Sequence, residues 1–216
     1  GSLCQADFMA KDRKRIGIST GGGDAPALNA VIRAAVRTAL SYGWEVYGIL
    51  NGFEGLLDPK RYIKKLGEEE IKGILVRGGT ILGTANRGNP FALKKFEKGK
   101  EIEVDRSKVI LKNFEKLKLD GIIVIGGDGT LSIANRIFEM GIPVVGVPKT
   151  IDNDISHVGQ SFGFVTAISE ARQAIYTAHV EAWGGRNGIG LVKLMGRDSG
   201  FIAAYAALAM SSVNFC

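Results

Sequence analysis

Two aspartates separated by a single residue, Asp152 and Asp154, are the strongest candidates for chemistry in this sequence. They follow the apolar run 142–147, which is typical of a buried parallel strand that ends at Pro148. In an extended segment both carboxylates would point the same way at the carboxyl end of that strand, where open α/β sheets bind ligands. Their mutual repulsion calls for a metal ion, a cationic neighbour or a shared proton. The alternative is an ordinary turn, because Asp and Asn also favour loops.

Three glycine-rich turns each follow an apolar run that predicts a strand. They are 21–24 (GGGD), 126–130 (GGDGT) and 195–200 (MGRDSG). Because parallel strands place their carboxyl ends on one edge, we expect the turns and the aspartate pair to meet in one cleft. Glycines there would let backbone N–H groups approach phosphate oxygens, Asp128 could hold Mg²⁺, and Arg197 could neutralise a phosphate. Each turn alone is weak evidence, since a glycine turn after a strand is often only a turn.

The elements that would position these residues alternate between strand and helix patterns. Predicted strands cover 15–19, 45–50, 121–125, 142–147 and 189–194, and predicted helices cover 27–42, 107–117, 131–140, 164–181 and 199–210. This order predicts an α/β fold with three layers, in which helices cover both faces of a parallel, Rossmann-like sheet. Residues 91–106 are charged and lack periodicity, so we expect a surface excursion there.

Both ends of the sequence bear on how the chain is organised. Residues 1–8 precede Met9 and are interpreted as a cloning remnant. Residues 211–216 resemble a helix exit that leads into another strand, so we interpret the chain as a truncated protein or a fragment.

Composition restricts the partners that we expect. The formal net charge of +6 favours anions, but no basic stretch is interleaved with aromatic residues, so small phosphates are favoured over nucleic acid. The two cysteines, Cys4 and Cys216, have no metal-ligand spacing and are typical of a reduced, cytoplasmic protein. No apolar run approaches the roughly 20 residues of a membrane span, so we expect no membrane partner.

Two common nucleotide-binding motifs are absent from the sequence. It contains no GxxxxGK[ST] segment, and its first glycine turn lacks the GxGxxG spacing. A nucleoside triphosphate on the first two glycine turns, Mg²⁺ near Asp128 and a carboxylate placed to accept a hydroxyl proton would together form a phosphoryl-transfer site.

Four segments resemble the phosphofructokinases in order and spacing. They are GGGDAP with Asn29 at 21–29, GGDGT at 126–130, PKTIDND at 148–154 and MGR at 195–197. GGDGT also resembles NAD kinases and diacylglycerol kinases, whereas TIDND followed by MGR is specific to the phosphofructokinases. The resemblance runs from about residue 15 to residue 216.

The resemblance implies transfer of a phosphoryl group from ATP, with Mg²⁺, to the 1-hydroxyl of fructose 6-phosphate. It implies that Asp152 is the base and that Thr150 and Asp154 contact the reacting sugar. The residues that it places against the nucleotide are Gly22, Phe53, Arg87, Gly127, Asp128, Gly129 and Thr130, with Asp128 on the magnesium side. It places Met195, Gly196 and Arg197 along the sugar site. It also implies a nucleotide-binding domain over residues 9–161 and the start of a sugar-phosphate-binding domain over residues 162–216. A packing role for Phe53 is an equal alternative. Family members are usually dimers or tetramers, so we expect a homo-oligomer.

The phosphoryl donor depends on two positions. Family members that use pyrophosphate carry Asp where this chain has Gly129, and that carboxylate would crowd and repel the α-phosphate of ATP. They also carry lysine at the position of Lys149, where short bacterial ATP-dependent enzymes have glycine. Lys149 could touch the transferring phosphate or offset the charges of the two aspartates. The glycine and lysine pair resembles an ATP-dependent branch; a pyrophosphate-dependent enzyme is the nearest alternative, and a nucleotide-binding module without activity is the third.

One further position departs from the family pattern. Short bacterial members have an arginine that reaches the sugar phosphate across a subunit interface, where this chain has Gly188. Arg186 lies two residues away and could substitute for it.

Overall fold

The computed structural model describes residues 13–85, 88–97 and 99–216. The chain divides into two compact units, Gly1–Pro148 and Lys149–Cys216. From the sequence we expect a domain boundary later, after Ser161, and the assignment of the two binding roles to two domains stays a prediction. The interpreted cloning remnant at 1–8 and Cys4 lie outside the described residues.

The strands and helices of the described residues are as follows. The strands are β1 (Arg15–Thr20), β2 (Glu45–Ile49), β3 (Ile63–Leu66), β4 (Leu93–Glu97), β5 (Lys100–Val104), β6 (Gly121–Gly126), β7 (Val144–Thr150) and β8 (Phe162–Gly163). The helices are α1 (Leu28–Ser41), α2 (Glu54–Leu57), α3 (Pro59–Tyr62), α4 (Ser107–Leu117), α5 (Asp128–Glu139), α6 (Phe164–Gly184) and α7 (Phe201–Leu208).

The sheet of the first unit has the strand order β3-β2-β1-β6-β7. Strand β1 pairs in parallel with β2 on one side and with β6 on the other, and β6 pairs in parallel with β7. The antiparallel strand β3 lies at the edge beside β2, so the sheet is mixed. Because the strand order reverses at β1, the carboxyl ends of β1 and β6 flank a topological switch point, where α/β sheets bind ligands.

Helices cover both faces of this sheet, which confirms the predicted three layers. Helix α1 buries residues at helical spacing, among them Ile32 and Val36, in a core cluster that includes Ile125 of β6. Ile122 and Val124 of β6 belong instead to the cluster that contains residues of α4 and α5. This alternation along β6 follows from the two-residue period of a strand and places one helical layer on each face.

Two segments differ from the sequence predictions in the first unit. The charged segment 91–106 contains the antiparallel hairpin of β4 and β5, in which Lys94 forms an ion pair with Glu101. Strand β7 does not end at Pro148 but continues to Thr150, crossing into the second unit. The β4–β5 hairpin was not predicted because its strands are paired through opposite charges and lack the apolar alternation that indicates a strand.

The second unit contains the end of β7, β8 and two packed helices. Lys149 and Thr150 pair in parallel with Phe162 and Gly163. The core of α6 and α7 consists of Phe164, Ala171, Ile202 and Ala206. None of the helices in the described part of the chain combines the length and the apolar character that a membrane span requires.

The strand predicted at 189–194 is not formed. The segment has no regular secondary structure, and Ile189 and Leu191 are 91% and 92% exposed. Its apolar alternation fits a strand, but a strand also needs a neighbour for its backbone hydrogen bonds, and no ladder partner for it occurs among the described residues.

Candidate functional site

The first two glycine turns are interlocked in the first unit. The backbone N–H of Gly21 donates a hydrogen bond to the carbonyl of Ile125 at 2.9 Å. A Cβ atom at Gly21 would lie 2.6 Å from the Thr130 methyl group, and one at Gly126 would overlap the Thr130 side chain as well. Thr130 therefore fills the space that the two glycines leave open, and the turns after β1 and β6 lie side by side as predicted.

The second turn leads directly into a helix. Helix α5 begins at Asp128, earlier than the predicted start at Leu131, with Gly127 as its N-cap residue. Asp128 and Gly129 are exposed in the first turn of α5, where N–H groups lack helical acceptors and favour an anion. A Cβ atom at Gly129 would meet nothing within 4 Å, so the space next to this position is open.

The first turn has a left-handed glycine of its own. Gly22, which the resemblance places against the nucleotide, has a φ angle of 79° and is partly exposed. Only glycine adopts such a φ angle at little cost, so the backbone conformation of the turn favours glycine at this position.

A loop that we did not predict is attached to the first turn. The buried side-chain amide of Asn29 donates to the Arg77 carbonyl at 3.0 Å and accepts a hydrogen bond from the Ile81 N–H at 2.8 Å. The Thr20 hydroxyl, at the end of β1, donates to the Gly83 carbonyl at 2.8 Å. The glycine pair of the segment RGGT at 77–80 was the available sequence signal for this loop. Asn29 thus has a structural role in holding it.

Two predicted nucleotide contacts have different outcomes. Phe53 is buried in the core cluster that also contains Ile49 and Leu56, so the observed role of its side chain is packing. Its contact with a nucleotide stays a prediction without support from its position. Arg87 lies outside the described residues.

In the second unit, Asp152 is a buried carboxylate beside a cation. The residue is 8% exposed, and its Oδ2 lies 3.8 Å from Nη2 of Arg197, whose side chain is 66% exposed. The two predicted residues are therefore brought together, and Arg197 supplies the positive neighbour that the sequence called for. An ion pair with one exposed partner is weak, so Arg197 can turn towards another anion at little cost.

The backbone around Asp152 is held by polar side chains. The Asp152 N–H donates to the Thr150 hydroxyl oxygen at 3.1 Å, and the Ser161 hydroxyl donates to the Thr150 carbonyl at 2.6 Å. The Ser161 N–H donates to Oδ1 of Asn153 at 2.8 Å. Ser161 is buried, so these bonds are sheltered from competing water. Asn153 and Ser161 are residues that sequence reasoning missed, because their role depends on a contact across a loop.

The expected geometry of the aspartate pair is wrong. Asn153 has a φ angle of 52°, in the left-handed region, so residues 152–154 are not extended. Asp152 is buried whereas Asp154 is exposed. The two carboxylates therefore have different surroundings, since only that of Asp152 is sheltered from solvent.

The third glycine turn carries Arg197 in an unusual conformation. Gly196 is buried with a φ angle of 152°, and a Cβ atom there would lie 2.6 Å from the Ser199 carbonyl oxygen, so the position requires glycine. Arg197 follows with a φ angle of 51°, which is uncommon for a residue with a long side chain. Met195 is 76% exposed.

Lys149 lies at the end of β7 and is 3% exposed. A buried ammonium group requires compensating partners. Whether Lys149 contacts the transferred phosphate or offsets the charges of the two aspartates stays a prediction.

Comparison with known proteins identifies the family. The sequence profile of the family Phosphofructokinase matches residues 15–215 of this chain. The chain belongs to the phosphofructokinase family. The family resemblance of the GGDGT, PKTIDND and MGR segments is thereby confirmed.

Individual phosphofructokinases show how far the likeness extends. An ATP-dependent 6-phosphofructokinase from Chloroflexus aggregans is 46% identical over 201 residues, which are 93% of this chain and 55% of the relative. A pyrophosphate–fructose 6-phosphate 1-phosphotransferase from Amycolatopsis mediterranei is 44% identical over 90% of this chain and 53% of its own length. This chain therefore spans about half the length of the curated relatives that it matches.

A solved structure agrees with the fold. The phosphofructokinase of Pichia pastoris in the T-state has a TM-score of 0.74 and 28% sequence identity, over 93% of this chain and 23% of that chain. The predicted α/β phosphofructokinase fold is thus confirmed.

The departure from the phosphofructokinase pattern at Gly188 has a local cause. A Cβ atom at Gly188 would overlap the carbonyl oxygen of Ala182, in the last turn of α6. An arginine therefore does not fit at this position. Arg186 is exposed, and its role in binding a sugar phosphate stays a prediction.

Proposed function

We propose that this chain is the catalytic part of an enzyme that transfers a phosphoryl group from ATP to the 1-hydroxyl of fructose 6-phosphate, giving fructose 1,6-bisphosphate and ADP. The observation that carries the proposal is the buried carboxylate of Asp152, hydrogen-bonded through its backbone and ion-paired with Arg197 in a family of phosphofructokinases. Asp152 accepts the proton of the attacking hydroxyl, and Arg197 neutralises a phosphate of the substrate.

The first unit supports binding of the phosphates of the donor. Backbone N–H groups at the start of α5 suit an anion, and the interlocked glycine turns allow close approach of phosphate oxygens. Gly22, Gly127, Gly129 and Thr130 are the residues that we assign to this task. The open space in front of Gly129 favours ATP as the donor, because ATP needs room for its α-phosphate.

Asp128 is the residue assigned to Mg²⁺. The described residues contain no group of three or more His, Cys, Asp or Glu side chains that could enclose a metal ion. A single exposed carboxylate fits Mg²⁺ that takes its other ligands from phosphates and water. When bound with the nucleotide, the ion neutralises charge on the phosphates.

Pyrophosphate is the second candidate donor. The lysine at position 149 supports it, because the family resemblance gives pyrophosphate users a lysine there, and one relative that is 44% identical is named as a pyrophosphate-dependent enzyme. Identity alone does not separate the donors, since the ATP-dependent relative is 46% identical.

The proposed function is tested by turnover of this chain with fructose 6-phosphate and either ATP with Mg²⁺ or pyrophosphate. Asp152→Asn keeps the shape of the side chain and removes the base, so turnover should fall by about 100- to 10,000-fold while ATP binding persists. Glu170→Gln removes an exposed carboxylate of α6 and serves as the matched control. An unchanged rate in Asp152→Asn would exclude Asp152 as the base. ATP binding without turnover in the unaltered chain would support a nucleotide-binding module instead.

A further inference from the structure

The hydroxyl group of Ser199 joins two parts of the second unit. It lies 2.8 Å from the carbonyl oxygen of Asp152, 47 residues away in sequence, and 3.0 Å from the carbonyl oxygen of Gly196. Both neighbours are acceptors, so the single hydroxyl proton is shared between them. The N–H of Ser199 also donates to Gly196 at 2.9 Å, which closes the turn that contains Arg197.

This hydrogen bond connects the backbone of Asp152, the proposed base, to the turn that carries Arg197, the residue proposed to bind the phosphate. Arg197 reaches the Asp152 carboxylate at 3.8 Å through a side chain that is largely in solvent. Such an ion pair cannot by itself fix the separation of two segments. The Ser199 hydroxyl joins backbone to side chain close to the main chain, where few rotatable bonds intervene, so it constrains both segments more tightly.

The opposite side of the Asp152 segment is held independently. Ser161 binds the Thr150 carbonyl and the Asn153 side chain, and Nδ2 of Asn153 donates to the Gly159 carbonyl at 3.2 Å. These bonds define the loop 150–161 but involve no residue of the turn 195–200. Of these side-chain hydrogen bonds, the one from Ser199 is therefore the bond that links the Asp152 segment to the Arg197 turn.

We propose that Ser199 is a positioning residue that couples Asp152 to the Arg197 turn, and so sets the distance between the base and the ligand of the sugar phosphate. The catalytic consequence rests on the proposed function; the coupling itself does not. Ser199 touches neither reacting group through its side chain and acts through the carbonyl of Asp152.

The coupling is tested by amide hydrogen exchange of the full chain, read by mass spectrometry. Ser199→Ala should speed exchange by about five-fold at the amides of Asp152 and Ser199, because one bridging hydrogen bond is lost, and should leave the independently held amide of Ser161 unchanged. Ser199→Thr retains the hydroxyl and should restore slow exchange. Ser211→Ala removes an exposed serine of the same unit and should change nothing. Unchanged exchange in Ser199→Ala, or an increase that extends equally to helix α1, would overturn the proposal.

Steady-state kinetics tests the catalytic consequence. Ser199→Ala should lower kcat and raise KM for fructose 6-phosphate, both roughly ten-fold, with KM for the donor unchanged; Ser199→Thr should recover most of the loss. An equal rise of both KM values would contradict a positioning role. If the unaltered chain has no turnover, the proposed function fails, and the exchange measurement alone decides whether Ser199 couples the two segments.

Discussion

Asp152 and Asp154 are equivalent in sequence pattern but not in structure. Their separation by one residue could be read from the sequence, and so could the need for a cationic neighbour, which Arg197 provides. Their orientation could not, because it depends on the left-handed conformation of Asn153, which no local apolar pattern encodes. Ser161 and Ser199 were missed for a related reason: each acts through a long-range hydrogen bond to a backbone group.

Gly129 is the single residue at which we predict a change of donor. Gly129→Asp should lower kcat/KM for ATP by about ten-fold or more and raise the relative use of pyrophosphate, since the new carboxylate repels the α-phosphate. Because a Cβ atom at this position meets nothing within 4 Å, the urea midpoint should stay close to that of the unaltered chain.

The measurement is a donor profile at fixed fructose 6-phosphate, accompanied by a urea titration. Gly184→Asp, at another glycine whose Cβ would meet nothing within 4 Å, controls for the added charge. An unaltered ratio of ATP to pyrophosphate use in Gly129→Asp would exclude the steric account of donor choice.

At the scale of elements, strands and helices were predictable where burial fixes a periodic pattern. Helix α4 has the predicted bounds, and β1, β2 and β6 are correct to within a residue at each end. Helix α5 begins three residues before its predicted start at Leu131. Asp128, Gly129 and Thr130 belong to the helix although they have no apolar periodicity that would predict it. Strand β3 and the β4–β5 hairpin were missed because charged residues dominate them, and their pairing partners lie elsewhere in the sequence.

Because Thr130 lies against both Gly21 and Gly126, we predict that Thr130→Ala restores stability to a Gly21 variant but not to a Gly126 variant. Gly21→Ala should destabilise the chain by about 1–3 kcal/mol, because its new Cβ meets the Thr130 methyl group at 2.6 Å. Thr130→Ala removes that methyl group and should recover part of the loss. Gly126→Ala should not be rescued, because its Cβ would overlap the Cβ of Thr130, which alanine retains.

Urea unfolding of the single and double variants measures these couplings as a double-mutant cycle. Additive effects of Gly21→Ala and Thr130→Ala would show that the two turns do not share the space around Thr130.

The sheet edge formed by β2 and β3 predicts a pH dependence of stability. Lys65 donates a hydrogen bond to Glu45 at 2.7 Å and holds the pKa of the Glu45 carboxyl below its ordinary value of 4.5, with smaller contributions from Tyr47 and Arg15. A lowered folded-state pKa stabilises the folded chain above about pH 4.5, and this contribution is lost as the pH falls through the folded-state value.

Glu45→Gln removes this dependence, so its stability deficit relative to the unaltered chain should be present at about pH 7 and shrink at about pH 3. Urea midpoints at the two pH values measure the difference, and Glu115→Gln, at an exposed position of α4, is the matched control. A deficit of the same size at both pH values would argue against an ionised Glu45 as the stabilising form.

At the scale of the whole molecule, family membership and fold class were predictable from a few motifs, because TIDND and MGR occur together with the βαβ order. The absence of a strand at 189–194 was not predictable, because an alternating pattern is local whereas a strand also needs a second segment to pair with. Exposure of Ile189 and Leu191 leaves the second unit with an uncovered apolar surface. Such surfaces favour association with other polypeptide, so the oligomeric state, which we expect to be a homo-oligomer, should be measured over a range of protein concentrations.

The position of Thr130 between Gly21 and Gly126 also limits how this sequence can vary. The two glycines are far apart in the chain, yet each is constrained by the same threonine. A larger residue at position 21 requires a residue smaller than threonine at position 130, whereas a larger residue at position 126 requires glycine at position 130. An alignment should therefore show positions 21 and 130 changing together, whereas Gly126 should change only where position 130 is glycine.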